Sequence, residues 1–392
     1  MLVKNSRELV ELVSKTLQDE GVEAKLCDVE QVLEMKAQAK GFETKANEVV
    51  HTGNAGFGAE LVADSVFTTD FLDIVPRISP LLSALNGYHG RNMNLISKVP
   101  VIGELQYHTL MSETTTNLMT FADAKAKLPT AYIQIEQKKF FLDVDVSDEE
   151  VRFVNVVDMV ATIQRKLALS AQKTQEAFVI NGDTVTASTG NVNSDDAAPA
   201  SDAYYLGGNG LRKAAISLSK TVDAGVLAWA DYLDVLALLG DNYSNPADII
   251  FIENPTTYVK SLGLDEFKDY AKNGRSSTIF NGSVTNIAGS DLITSENFKK
   301  TEADGKISAT AGNNTKGGFL ACHRSAVQYG YNGDYQIEIV RNPAKGWKIV
   351  GYYYMGINTV NNALIEGGTA VTQAELKERL DTMVALGRNV TV

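Results

Sequence analysis

Four histidines, His51, His89, His108 and His323, are the imidazoles available as general bases or metal ligands. No two stand at the short spacing that puts two ring nitrogens on one helix face around a zinc ion, so scattered polar or core positions account for them better. Cys27 and Cys322 share no metal-ligand spacing either and read as buried free thiols. A Gly-x-Ser-x-Gly nucleophile elbow and a Walker phosphate loop are both absent. Gly207-Gly208-Asn209-Gly210 has the glycine content of a phosphate cradle. It lacks a buried strand ahead of it and a lysine-serine pair behind it, and reads as a loop.

Asp143, Asp145, Asp148, Glu149 and Glu150 are the residue types that hold a divalent cation or work as an acid–base pair. Asp143 and Asp145 alternate with Leu142, Val144 and Val146, so a strand turns them toward solvent. Ser147-Asp148-Glu149-Glu150 is a capping box: the Ser147 hydroxyl accepts from the Glu150 amide, Glu150 reaches back, and the acids complement the positive helix end. Lys125, Lys127, Lys138 and Lys139 read in two ways, as contacts to carboxylates on a neighbouring copy or as solubilising charges along an edge hairpin. No catalytic residue, metal ligand or cofactor is expected, and the chain is not read as an enzyme.

At 392 residues, with 44% hydrophobic and 21% charged residues, the chain has the make-up of one large or two to three closely joined folded domains. No run approaches the roughly 18 apolar residues of a membrane span. The opening Met1-Leu2-Val3-Lys4-Asn5-Ser6 lacks the apolar core of a signal peptide, so residence in the cytoplasm is expected. The net charge is −12 and no basic run is present, which argues against direct gripping of nucleic acid while remaining compatible with enclosing it.

The elements that carry these residues come in a distinctive order. Ser6 caps a helix with Leu9, Leu12, Val13 and Leu17 on one face, a second helical stretch runs from Asp28 to near Gly41, and Ala46 to Phe57 has linker composition. Pro76 and Pro80 forbid one long helix in the apolar segment that follows. Strand patterns at Asn94 to Ile102 and Leu105 to Leu110, a polar stretch from Met111 to Pro129, and a long strand from Ala131 to Val146 describe an extended hairpin. The alternation of that last strand changes phase at Lys138-Lys139, which predicts a bulge or bend. From Ser147 a helix without Gly or Pro runs to about Ile180, on the order of 50 Å at 1.5 Å per residue. Val154, Val157, Val160, Ala161, Leu167, Ala168, Ala171 and Phe178 form its apolar stripe, and Asn181-Gly182-Asp183 stops it.

Residues 184 to 204 read as a loop. Leu211 to Thr221 and Asp231 to Leu239 read as helices, Asp248 to Ile252 as a buried strand, and Pro255 to Leu262 as a helix with proline in its first turn. Strands return at Gly318 to Cys322, Tyr335 to Arg341 and Trp347 to Asn358. A second capping box, Thr372-Gln373-Ala374-Glu375, opens a short helix carrying Leu376, Leu380, Met383 and Val384.

This order, together with the Leu142-Asp143-Val144-Asp145-Val146 strand, the Ser147 and Glu150 cap, the long helix and the closing Gly182-Asp183, resembles the major capsid protein family of tailed bacteriophages, whose fold also builds encapsulin shells. The resemblance implies an α+β, Hong Kong 97-like capsid fold. Its parts would be a helical leader, a possible scaffold segment, over 1–50; an N-arm over 51–92; an E-loop hairpin over 93–141; and a peripheral domain with a spine helix over 142–204. An axial α/β domain over 205–320, returning peripheral strands over 321–365 and a C-terminal helical tail over 366–392, an elaboration past the usual closing strand, would complete it.

It further implies a subunit that assembles with itself into pentamers and hexamers, made and assembled in host cytoplasm and resident in the virion. The shell would enclose double-stranded DNA without sequence-specific binding and without a membrane. Portal protein and scaffold, protease or decoration proteins would be its other partners. Some relatives join an E-loop lysine to an asparagine of the next subunit, for which Lys125 or Lys127 with Asn358 or Asn361 is the candidate set. An encapsulin-type compartment is the nearest alternative; a surface-associated hydrolase or binding protein, suggested by the α/β region and its Asn/Gly loops, is the alternative from another class.

Overall fold

The computed structural model describes residues 80–104, 128–147, 159–268, 282–342, 346–365, 371 and 374–392. The expected leader, most of the expected arm, the expected hairpin tip with Lys125 and Lys127, the expected Asp148 to Glu150 cap and first part of the long helix, and Thr372 with Gln373 lie outside them.

A single helical turn, α1 (Leu81–Ala84), leads into β1 (Ile96–Ile102). β1 pairs antiparallel with β2 (Thr130–Glu136), from Ile96 opposite Glu136 to Ile102 opposite Thr130, and this ribbon is the base of the hairpin. One face of β2 is apolar, and Ala131, Ile133 and Ile135 are buried. The chain then changes sheets. At Gln137 it leaves the ribbon and continues as β3 (Lys138–Val146), so the phase change in the sequence is a sheet switch. Gln137 is buried at the switch, and its amide donates to the Leu95 carbonyl at 2.8 Å.

The long helix α2 is described from Met159 to Asn181. Leu167, Ala171 and Phe178 of the expected stripe are buried, Val160 and Ala168 are half-buried, and Ala161 is exposed. The last turns, Glu176 to Asn181, are buried all round because structure surrounds that end. There follow α3 (Leu211–Ser217), β4 (Thr221–Asp223), α4 (Trp229–Ala237), β5 (Ile249–Glu253) and α5 (Pro255–Ser261). α3 stops short of the expected Thr221: Ser219 takes a positive φ of 55° and Thr221 opens a strand. Pro255 sits at the start of α5, and the Asn254 side chain caps it by accepting from the Thr256 amide at 2.9 Å.

After α6 (Asp265–Lys268) come β6 (Asn286–Ile287), β7 (Ser290–Thr294), β8 (Lys316–His323), β9 (Val327–Tyr331), β10 (Gln336–Asn342) and β11 (Gly346–Thr359). The chain closes with α7 (Ala374–Asp381) and β12 (Val384–Thr391).

β11 organises a four-stranded sheet: β10 and β3 flank its first part, β9 pairs with its end, and α2 packs against it. A second sheet of six strands runs in the order β4-β12-β8-β5-β7-β6. β5 lies inside it, and all five of its residues are buried, as expected for a strand covered on both faces. Tyr232, Val235 and Leu236 of α4 cover one face of this sheet. The other face shares a core with the four-stranded sheet through Phe178, Ile250, Ile252, Leu320, Tyr353 and Met355.

Two readings from the sequence are corrected. Ala321 and Cys322, at the start of the strands expected to return over 321–365, do not join the four-stranded sheet; β8 sits between β12 and β5 in the six-stranded one. An unbroken apolar run shows that a strand is covered on both faces without showing which sheet it joins. The segment read as a helical tail leaves the helix at Asp381 and ends as β12, which is antiparallel to β8 and parallel to β4. Gly387 in β12 lies against the Phe319 ring where a Cβ would collide. α7 itself is no appendage, since Leu376 and Leu380 pack with Ile133 and Ile135 beneath the hairpin base.

Candidate assembly surfaces

His89 bonds Gln328, and His323 accepts from the Ser325 amide at 3.2 Å, with burial lowering its pKa. Cys322 is buried, and burial pushes its thiol up to about 12, the state of an inert core thiol. Among the described residues one group of three potential metal ligands occurs, Asp195, Glu302 and Asp304, with no histidine or cysteine in it. Burial and its acidic neighbours raise the pKa of Glu302.

Beside that group stands a side chain the sequence reading missed. Arg212 is fully buried, and burial lowers its pKa to about 10. Its guanidinium donates to Asn181 Oδ1 at 2.8 Å, the Gly305 carbonyl at 2.7 Å and the Val192 carbonyl at 3.3 Å. It thereby joins the end of α2, the loop after it and the turn near Asp304. Next to it Lys213 pairs with the buried Asp183 at 3.1 Å, and Asp183 Oδ2 accepts from the Val192 amide at 2.8 Å. The closing Asn181-Gly182-Asp183 is thus a joint. The loop Gly207 to Gly210 completes it, because a Cβ on Gly210 would stand 2.6 Å from both the Gly182 nitrogen and the Val179 carbonyl. Gly208 and Gly210 admit backbone against backbone.

Of the four lysines read as contacts to a neighbouring copy or as solubilising charges, two are described. Lys138 and Lys139 lie on β3, past the end of the hairpin ribbon. Lys138 Nζ pairs with Glu136 at 2.7 Å, and Lys139 sits over the Tyr352 ring at 4.5 Å. Asp143 and Asp145 are exposed as the alternation requires. Asp143 pairs with Lys348 at 2.5 Å, and that bond lowers its pKa while raising that of Lys348. Ser147 is half-buried, whereas its partner in the expected cap, Glu150, and the side chain of Glu375 are outside the described residues. Asn358 is committed within the chain: its Nδ2 donates to the Gln134 carbonyl at 2.8 Å, and its Oδ1 accepts from Thr359 and Asn362. Asn361 Oδ1 is buried without a partner.

Large apolar side chains stand in water at three places: Leu95, Ile96, Ile102 and Leu128 on the ribbon; Phe141, Leu142, Ile339 and Val340 on the four-stranded sheet; and Val226, Leu233 and Val259 around the six-stranded one. Ile102 is 66% exposed and Val226 84% exposed.

No protein-family model matches the sequence, and no curated protein matches it. Solved structures do, and they define the class: the chain has the fold of phage capsid proteins. The capsid structure of cyanophage P-SCSP1u matches at a TM-score of 0.51 and 15% identity, covering 87% of this chain and 98% of that one. An acid-stable capsid structure of Helicobacter pylori bacteriophage KHP30 matches at 0.56 and 8% identity, over 82% and 94%. A structure from Mycobacterium phage Che8 matches at 0.51 and 12% identity, over 82% and 96%. At these identities the likeness is one of fold.

Proposed function

We propose that this chain is the major capsid protein of a tailed bacteriophage, a structural subunit that assembles with copies of itself into pentamers and hexamers. The observation that carries the reading is the extent of the likeness: it takes in at least 94% of each of the three matched chains. In this reading the six-stranded sheet with α3 to α5 is the axial domain, and contacts running head to tail around a symmetry axis close it into rings. The four-stranded sheet with α2 is the peripheral domain, and the β1–β2 ribbon is the root of the E-loop. Its outward Ile96 and Ile102 and their exposed counterparts elsewhere are covered by adjacent subunits.

Contacts marginal one by one become stable together, since each subunit touches several others and detaches only when all release. The role is structural and needs no cofactor. The acidic balance of −12 suits a wall that encloses DNA without gripping it. Portal, scaffold, protease and decoration proteins, residence in the virion and assembly in host cytoplasm belong to the same reading. Sedimentation of the purified chain tests it: megadalton particles of narrow size support the reading, and a 42.4 kDa species that persists at high concentration overturns it.

A further inference from the structure

Within the described residues the four-stranded sheet ends at β3. Among the described residues no strand pairs with the outer edge of Lys138–Val146, so alternate backbone groups of nine residues face outward without a ladder partner. Edge strands are ordinarily protected by proline, a bulge or charges spread along them. β3 has no proline, its charges are sorted by sign, and Phe141 and Leu142 stand exposed at 68% and 47% between them. Lys138 and Lys139 occupy one end; Asp143 and Asp145 occupy the other. A groove of about 590 Å³ runs beside the edge, lined by Phe140, Leu142, Leu167, Ala171 and Tyr353 among others. The Tyr353 hydroxyl is buried with no hydrogen-bond partner.

We infer that β3 pairs antiparallel with β3 of a second copy of this chain, about a two-fold axis that passes through Leu142. A strand with positive charge at one end and negative charge at the other is complementary to itself when reversed. A two-fold perpendicular to the sheet keeps each side chain on its own face, so only registers that place like parity opposite like parity are open. With Leu142 on the axis, Lys139 of each copy lies opposite Asp145 of the other, Phe140 opposite Val144, and Phe141 opposite Asp143, with the two Phe141 rings diagonal. A shift that puts Phe141 on the axis would set Lys139 against Asp143, which already holds Lys348 at 2.5 Å. Lys139 and Asp145 form no ion pair within the described residues; Lys139 lies over the rings of Tyr352 and Tyr354. Asp145 faces Lys348 across the ladder and attracts it without an ion pair, because Lys348 is bonded to Asp143, so the register through Leu142 brings Lys139 to the acid that Lys348 leaves unbonded. It joins the open edges of two sheets into one ladder, adds backbone bonds to both, and sets Val144 of one copy beside Phe140 at the rim of the other's groove.

The pairing rests on the shell reading, which supplies many copies related by two-fold axes. Residues directly opposite in an antiparallel pair have Cα atoms about 4.5–5.5 Å apart, within the span of a disulfide. In a Cys27→Ser background, Cys322 being buried, Leu142→Cys is expected to give covalent dimers on mild oxidation of the assembled protein, read on a non-reducing gel. The double variant Lys139→Cys with Asp145→Cys should do the same. Val144→Cys alone, whose opposite number is Phe140, should not. Lys139→Asp should abolish the Leu142→Cys dimer, and adding Asp145→Lys should restore it. Particles of normal size in which Leu142→Cys stays monomeric, or cross-links no more than Val144→Cys, would overturn the pairing and leave the shell reading intact. Cross-linked dimers from a chain that forms no particles would uphold the pairing and overturn the shell. Neither dimer nor particle would overturn both.

Discussion

Glu253, at the end of β5, provides a pH test of the six-stranded core. Its side chain is fully buried, and its partners are neutral hydroxyls: Tyr232 donates to Oε1 at 2.5 Å and Ser261 to Oε2 at 3.3 Å. Burial pushes its pKa from an ordinary 4.5 up to about 7, against the two hydrogen bonds, which favour the charged form. Burial and the adjacent carboxylate push the Tyr232 phenol up in turn. The native state therefore keeps the Glu253 proton through a range in which the unfolded chain has released it. Stability is full below the unfolded value and falls as pH rises, at ~1.4 kcal/mol per pH unit, until the native carboxyl also ionises. Between pH 4.5 and about 7 the loss amounts to roughly 3 kcal/mol for this one group. Glu253→Gln keeps an acceptor for Tyr232 and cannot ionise. Urea unfolding of unassembled subunits across that range should show stability declining in the parent and this decline removed in the variant. At about pH 8 the variant should be the more stable by roughly 2 kcal/mol, after about 1 kcal/mol for an imperfectly matched amide. A parent with flat stability across the range, or a variant that retains the slope, would refute the reasoning.

Phe178→Ala empties the contact of α2 with Phe140, whose ring centroid lies 5.0 Å away, and should cost about 3–5 kcal/mol in unfolding free energy without changing the far-UV spectrum of soluble subunits. Gly210→Ala forces a Cβ to within 2.6 Å of backbone at the end of α2, so thermal unfolding should shift down by more than the roughly 1–3 kcal/mol of ordinary overpacking. Arg212→Ala strands the Asn181 side chain and the Gly305 carbonyl in a buried joint and should cost about 1–3 kcal/mol for each acceptor left unbonded, read by chemical unfolding. Deleting residues 112–128 should leave a folded, soluble subunit that forms no closed shells by sedimentation; intact shells from that chain would remove the hairpin from the account.

What the sequence made legible was local and periodic. The slip of alternation at Lys138-Lys139 located, to within a residue or two, the point where one strand leaves the ribbon for another sheet, because parity is a property of neighbouring residues. Asn181-Gly182 ended α2 as read, and the Ile249 to Ile252 run was the buried strand it looked like. Membership in a sheet was not legible, since it is decided by partners far along the chain. β12 pairs with a strand some sixty residues before it, and its Val384-Ala385-Leu386 start continues a helical pattern smoothly enough to hide the break after Asp381. β9, with Gly330 among its aromatics, carried too short a signal to be found. Of the surfaces, the exposed acids on β3 could be read from alternation, whereas the Arg212 joint could not: a buried arginine held by carbonyls looks in sequence like any helix-surface arginine. The pairing of Lys139 with the Tyr352 ring likewise depends on the register of β3 against β11.

Cryo-electron microscopy of the purified chain puts the self-assembly claim to its most direct test. The account predicts closed particles of icosahedral symmetry, with the six-stranded sheets nearest the five- and sixfold axes and each hairpin lying across an adjacent subunit. Lone compact subunits at high concentration, with the ribbon's Ile96 and Ile102 covered by the chain's own body, would contradict it.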